Sequence, residues 1–330
     1  MLVLMAATDQ TISEQRVLRE ACGLLDRSER GKLAFTGDEA QEFLNGQVSN
    51  DVLALAPGQG CYAALLTPKG KMLADLRIIR LPPPHEQELW LDTERGALQA
   101  LFDSLRSHLV GYRVELHKRT LEQGLLSLIG PGAGAVLGQP VPTPEHAARP
   151  ETVAGCPVLA VATDVGVDIV CAAEDLAEVV EALREGGATP VSEASAEVIR
   201  VERGRPRFGV DIDDSTIPQE AGLNDRAVSF TKGCYVGQET VARLYYRGKP
   251  NRELRGLMLS AVAASGDELQ LGDRPVGRLG SVVRSSELGP IGLALVRREA
   301  GSGALLDVGR DGVRATVVEL PFAATAAGPR

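Results

Sequence analysis

The chain has 330 residues, 44% hydrophobic and 24% charged, with a formal net charge of −9. This length exceeds one ordinary core and predicts two or three domains. No run of about 18 apolar residues occurs, which argues against a membrane span, and the acidic balance argues against a protein that coats nucleic acid through bulk charge. The opening MLVLMAATDQ lacks the basic start and hydrophobic length of a secretory signal, so a cytoplasmic location is expected. Five cysteines stand at 22, 61, 156, 171 and 234; the odd count and the lack of a CxxC pair disfavour a disulfide framework or a structural zinc site. No metal-ligand set is expected.

In chain order, SEQRVLREACGLLD (13–26) predicts a helix with Ser13 as its cap, and GKLAFTG a strand and turn. Asp38 is expected to cap a helix through EAQEFLNGQ. CYAALLTPKGKMLADLRIIRL reads as a hairpin with arms 61–67 and 71–81 around Pro68-Lys69-Gly70. ELWLDT predicts a strand, RGALQALFDSLRSHL an amphipathic helix and YRVELHKRT a further strand. LLSLIGPGAGAVLGQP gives a strand and a helix start. Its glycines superficially match a dinucleotide loop, but a Pro-rich connector, PVPTPEHAARPE, follows where a βαβ unit is needed. CPVLAVATD and VGVDIVCA form a second hairpin, with a helix over Glu174–Glu185 after it. The two half-units share a hairpin–strand–helix–strand order, which points to split, ferredoxin-like packing.

Residues 194–201 predict a helix, and 205–233 a long irregular segment rich in charge, Gly and Pro. A short helix over 239–246 precedes strands only: ELRGLMLS, DELQL, RPVGRLGSVVRS, LGPIGLALVRR, ALLDV and VRATVVELPF, a small β-barrel or sandwich.

Chemistry concentrates in KGCYVGQE, 232–239. Cys234 lies two residues from Lys232 and just before a helix, both features that favour a thiolate. Gly233 and Gly237 allow close backbone approach, and Gln238 and Glu239 can cap or bind a polar ligand edge. A buried, inert cysteine at a glycine corner is the plain alternative. The four histidines, 85, 108, 117 and 146, have no ligand spacing; His85 and His146, in Pro-rich connectors, are expected at the solvated surface. Between 226 and 255 seven Lys/Arg stand against two acids, a local excess of +5, with Tyr235, Tyr245 and Tyr246 among them. An anionic partner or a ligand bearing carboxylates fits that charge; so does a solvated face. Glu202, between Arg200 and Arg203, could take paired N–H donors from an aminopyrimidine edge or form a salt bridge. Asp75 could hydrogen-bond an amine ligand or only be solvated.

At these residues the chain resembles the folate-binding YgfZ proteins, bacterial relatives of the mitochondrial iron–sulfur cluster assembly factor. These in turn resemble the aminomethyltransferase (T-protein) of the glycine cleavage system. KGCYVGQE fits the family pattern Lys-Gly-Cys-aromatic-x-Gly-Gln-Glu throughout, and RGKPNRELRGL (247–257) resembles its basic continuation. FTGDEAQEFLNGQVSNDV, LLTPKGKMLADLRI, SLIGPGA, VERGRPRFGVDI and IPQEAG extend the resemblance over about residues 13 to 320. The chain has Ala74-Asp75 where the transferases carry an Asp-Asp pair, and Cys234 belongs to the iron–sulfur branch.

The resemblance implies an α+β, multidomain aminomethyltransferase-like fold, with split ferredoxin-like α/β units around a central channel and a C-terminal small β-barrel. Expected domains are a discontinuous central one (1–52, 118–150 and 198–246), two ferredoxin-like halves (53–117 and 151–197), a barrel (247–322) and a disordered tail (323–330). It implies a tetrahydrofolate cofactor contacted by Glu202, Asp75, Tyr235, Gln238, Arg243 and Arg247, with Cys234 as the reactive thiol. The implied partners are iron–sulfur client proteins or assembly factors; no membrane partner is expected, and the −9 total charge and lack of a nucleic-acid motif disfavour nucleic acid. Three functions follow: folate-linked assembly or repair of iron–sulfur clusters; a tetrahydrofolate-dependent aminomethyl- or methyltransferase; or an RNA-binding or tRNA-modification accessory protein using the basic segment.

Overall fold

The computed structural model describes residues 9–322; the tail expected at 323–330 lies outside them. The chain begins with helix α1 (Asp9–Glu20), after which Gly23–Asp26 is a strand, β1. The helix expected over 13–26 therefore stops early. A Cβ at position 23 would lie 2.5 Å from the Leu18 side chain, so glycine lets the strand leave close beside the helix, and pairing buries Leu24 and Leu25. Ser13 sits within α1, not at its start. Next come β2 (Gly31–Thr36), α2 (Ala40–Gln47), β3 (Gly60–Leu66), β4 (Met72–Arg80), β5 (Leu89–Thr93), α3 (Leu98–Ser107) and β6 (Glu115–Lys118). Asp38 does not cap α2: the N-cap is Glu39, and no side chain closes it.

There follow β7 (Gln123–Ile129), α4 (Ala133–Leu137), β8 (Ala148–Val153), β9 (Cys156–Thr163), β10 (Gly166–Ala172), α5 (Leu176–Glu185) and β11 (Thr189–Pro190). The strand β8 falls in the expected Pro-rich connector. It is the edge of its sheet, where Pro150 removes no ladder bond the sheet depends on. The remainder is α6 (Glu193–Glu202), α7 (Asn224–Ala227), α8 (Gln238–Arg247) and β12 (Arg252–Leu259), then β13 (Glu268–Leu271), β14 (Arg274–Ser285), β15 (Gly289–Arg297), β16 (Leu305–Val308) and β17 (Val313–Val318). No helix among the described residues is long and apolar enough to cross a membrane.

Two units result: residues 17–191 with 223–242, and, over the described residues, 9–16 with 192–222 and 243–322. The first contains a five-stranded sheet, β3-β4-β5-β2-β6, and a six-stranded one, β11-β1-β7-β10-β9-β8. Reversed, the second order becomes β8-β9-β10-β7-β1-β11, which is the first order with β1 inserted before the last strand. The helices repeat too: α3 lies between β5 and β6 in the chain, and α5 between β10 and β11. The echo seen in the sequence is thus a repeated split α/β topology.

Strand alternation gives each sheet two faces. On one face of the six-stranded sheet Leu126, Leu128, Val158, Val167 and Ile169 pack with Val179 and Leu183 of α5. Its other face meets the five-stranded sheet, where Ile79 and Trp90 join Leu125, Val161 and Val170. Beside that apolar patch the same layer turns ionic. Arg77 Nε donates to Asp92 Oδ1 at 2.6 Å, and Arg77 Nη1 lies 2.6 Å from Asp168 Oδ2; Arg30 binds the other Asp92 oxygen at 2.8 Å. The two guanidinium groups hold the Asp92 carboxyl well below the usual carboxylate range, against the opposing effect of burial.

The second unit is built on a closed barrel, β12-β15-β14-β13-β16-β17, whose core is apolar: Leu257, Leu269, Leu279, Val296, Leu306, Val308 and Val317. Helix α6 starts at Ser192, whose Oγ accepts from Ser195 N, and docks Val201 on Ile291 and Leu293. Arg200 ties it further, pairing with Glu197 and Asp211 and donating to Ser281 Oγ at 2.5 Å.

Candidate functional site

The Lys232–Glu239 loop is pinned from inside. Lys232 is buried, and its Nζ donates to the carbonyl oxygens of Asn45 (2.5 Å), Val48 (2.9 Å) and Asn50 (2.7 Å). Burial pushes this amine down to about 8. Three carbonyl acceptors call for three N–H donors, which only the ammonium supplies, so the residue is charged at neutral pH. The ammonium also stands 5.2 Å from the Tyr235 ring centroid. Tyr235 is buried within the loop, and burial pushes its phenol up to about 12.

At the far end Gly237 has φ +86, and a Cβ there would be 2.6 Å from the Thr67 carbonyl oxygen. Gly70 answers it: a Cβ would be 2.9 Å from Thr240 Cβ. The loop thus seats on the Pro68-Lys69-Gly70 turn of the β3–β4 hairpin, joining two stretches that the sequence marks separately. Between these anchors Gly233 faces open space and Cys234 is exposed. The Lys232 cation expected to serve Cys234 is turned instead to the 45–50 carbonyls; Cys61 is the thiol that feels its charge, against burial that pushes that group up to about 12. Gln238, half-buried, opens α8, and its N–H donates to the Tyr235 carbonyl at 3.2 Å.

Asp75 lies on the inter-sheet face of β4, buried. Tyr62 of β3 donates its hydroxyl to Asp75 Oδ2 at 2.5 Å. Burial raises the Asp75 pKa, an effect the Tyr62 hydroxyl opposes, and burial with the neighbouring carboxylate raises Tyr62 well above the usual phenol range. The Arg226 guanidinium stands 5.4 Å from the Tyr62 ring centroid and pairs with Glu145. Asn50 Nδ2 donates to the Tyr62 carbonyl (2.8 Å) and the Arg226 carbonyl (3.1 Å), so the segment that accepts from Lys232 also frames this wall.

The remaining expected residues belong to the second unit. Glu202 is the last residue of α6, half-buried, and its carbonyl accepts from Phe322 N at 3.0 Å. Arg243 and Arg247 are exposed, one helical turn apart on α8. The basic excess around them is smaller than composition suggests. Arg226 pairs with Glu145, Arg252 with Glu220, Arg255 with Glu253 and Glu319, and Lys232 is buried. Arg243, Arg247 and Lys249 carry the exposed remainder.

Sequence reasoning missed Tyr62, Arg226, Glu145 and His146. Tyr62 had a signal: the hairpin register places it opposite Arg77 and diagonal to Asp75 on one face. His146 had none, because its expected place at the surface rests on neighbouring prolines, and the structure buries it.

Residues 5–232 match the family described as GCVT N-terminal domain, and residues 254–323 match that described as CAF17, C-terminal beta-barrel domain. An aminomethyltransferase of Symbiobacterium thermophilum is 31% identical, over 94% of this chain and 88% of its own. A putative chloroplastic transferase of Arabidopsis thaliana is 28% identical, over 91% and 71%. Among solved structures, the glycine cleavage system aminomethyltransferase T of Bartonella henselae superposes with a TM-score of 0.85 at 25% identity, over 95% of this chain and 89% of that one. The protein belongs to the GCVT family, with a CAF17-type barrel at its C-terminal end.

Proposed function

We propose that this protein is a YgfZ-type factor that binds tetrahydrofolate and acts in assembly or repair of iron–sulfur clusters in client proteins. The observation that carries the reading is the mounting of Cys234: an exposed thiol on a loop whose flanking residues, Lys232 and Tyr235, are buried. A packing cysteine would be inside. A thiol held outward on a fixed mount suits transient contact with a sulfur, an iron or a partner's thiol. One cysteine does not hold a cluster by itself, so further ligands come from the client or an assembly factor. The CAF17-type barrel supports the same branch. Membership of the GCVT family and the polar Asp75–Tyr62 wall support a folate ring.

A second reading, aminomethyl transfer to tetrahydrofolate, draws on the relatives named as aminomethyltransferases. One experiment addresses both. Tetrahydrofolate is titrated calorimetrically into the wild type and Glu202→Ala, and methylene transfer from an aminomethylated carrier is assayed alongside. Binding by the wild type, a clear loss in Glu202→Ala and no transfer are expected. A wild type that does not bind overturns the folate reading; equal binding by the variant removes Glu202 from the site; turnover of the carrier establishes the second reading.

A further inference from the structure

His146 combines two unusual features. Its backbone has φ +70, and Ala154 is the only other non-glycine with positive φ among the described residues. Its imidazole is buried with Nδ1 lacking any hydrogen-bond partner. Buried polar atoms in folded proteins are overwhelmingly paired, and exceptions call for an explanation such as an absent ligand or water. Strained backbone gathers at ligand sites for the same reason: the surrounding structure holds a side chain where it is needed.

The surroundings specify what Nδ1 offers. Nε2 faces Glu145 Oε1 at 3.7 Å, too long for a hydrogen bond, and the nearby carboxylate favours the tautomer with its proton on Nε2 and a lone pair on Nδ1. Burial first, then Arg77 and Arg226, push the imidazole down to about 3, with Asp92 and Asp164 opposing. The ring is neutral at physiological pH, and Nδ1 is an acceptor. His146 stands beside the polar wall already described. Glu145 pairs with the Arg226 that covers Tyr62. Gly60, two residues before Tyr62 on the same strand face, runs so near that a Cβ would be 2.8 Å from the His146 carbonyl oxygen.

We propose that His146 is a ligand-binding residue of this wall, its Nδ1 accepting a hydrogen bond from an N–H of the bound heterocycle. The inference rests on the folate reading for the identity of that ring; a reduced pterin carries several such N–H donors. The test uses the full-length protein labelled with 15N-histidine and titrated with tetrahydrofolate. The resonance lost in His146→Asn identifies Nδ1, and ligand is expected to shift it. Affinity is measured for His146→Asn, whose Oδ1 retains an acceptor near Nδ1 and whose backbone tolerates positive φ, and for His146→Phe, which retains shape alone. The Asn variant is expected within about threefold of the wild type, and the Phe variant about tenfold weaker, the scale of one lost hydrogen bond. An Nδ1 resonance unmoved by bound ligand indicates a resident water only and overturns the proposal, as does wild-type affinity in a folded Phe variant. If His146→Phe does not fold, the wild-type resonance decides. If the wild type itself binds no tetrahydrofolate, the folate reading fails first and is seen to fail separately.

Discussion

The interior between the two sheets and the interior of the barrel are made of opposite materials. The barrel core is apolar, and ion pairs such as Arg274–Glu299, Arg278–Glu268 and Arg314–Asp307 lie on its exposed side. Such pairs contribute about 0–1 kcal/mol each. Between the sheets, Arg77, Asp92, Asp168, Asp75 and His146 are buried or nearly so. Taking charge out of water costs several kcal/mol per ion before pairing returns it. A module selected for stability alone has no need of that layer. The layer runs on into the Tyr62–Asp75 pair, and each of its charges has a partner that offsets part of that cost.

Removing one member of the layer should therefore have the largest effect. Asp92 is 0% exposed and accepts from both Arg77 and Arg30. Asp92→Ala leaves two guanidinium groups short of their carboxylate, and we expect a loss of about 3–5 kcal/mol in denaturant unfolding. A change below about 1 kcal/mol would place the layer in the same energetic class as the barrel's surface pairs and end the contrast.

The next test is pH dependence. His146 is pushed down to about 3 in the folded chain from an ordinary value near 6.5, so between those values the unfolded state binds more protons. Stability attributed to neutral His146 is complete above about pH 6.5 and falls as pH drops toward 3. The facing groups are Arg77 and Arg226, which strengthen the effect, and Asp92, Asp164 and Glu145, of opposite sign. Relative to His146→Asn, the wild type should lose about 3 kcal/mol between pH 7 and pH 4. Parallel stability curves for the two proteins would show that the imidazole is not desolvated.

The contrast also separates what the sequence discloses from what it hides. The barrel was legible because each strand alternates and is bounded by its own turn. The β3–β4 hairpin was legible because Pro68-Lys69-Gly70 fixes it locally. Where local and long-range signals compete, the local reading failed: Leu24 and Leu25 continue a helical pattern, yet pairing of β1 with β7 makes them strand. The polar layer is invisible for a related reason. Arg77, Asp92 and Asp168 come from three different strands and Arg30 from the turn before β2, and nothing near any of them in the sequence distinguishes a buried charge from a solvated one. Lys232 shows the same limit within a recognised motif: its neighbours in sequence suggest service to Cys234, and only the fold reveals the carbonyls of 45, 48 and 50 as its partners.

The smallest energetic effect carries the most functional weight. Cys234 is exposed and lies between two anchors, so Cys234→Ala removes no packing and should change stability by no more than about 0.5 kcal/mol. Tetrahydrofolate affinity should match the wild type, because the Asp75–Tyr62 wall and the Lys232 pin are untouched. Activity of a cluster-bearing client should fall in cells carrying only this variant. The three readouts together discriminate. Destabilisation would mean that the thiol packs after all, lost folate affinity would make it part of the ring site, and normal client activity would leave the loop's outward cysteine without the role proposed for it.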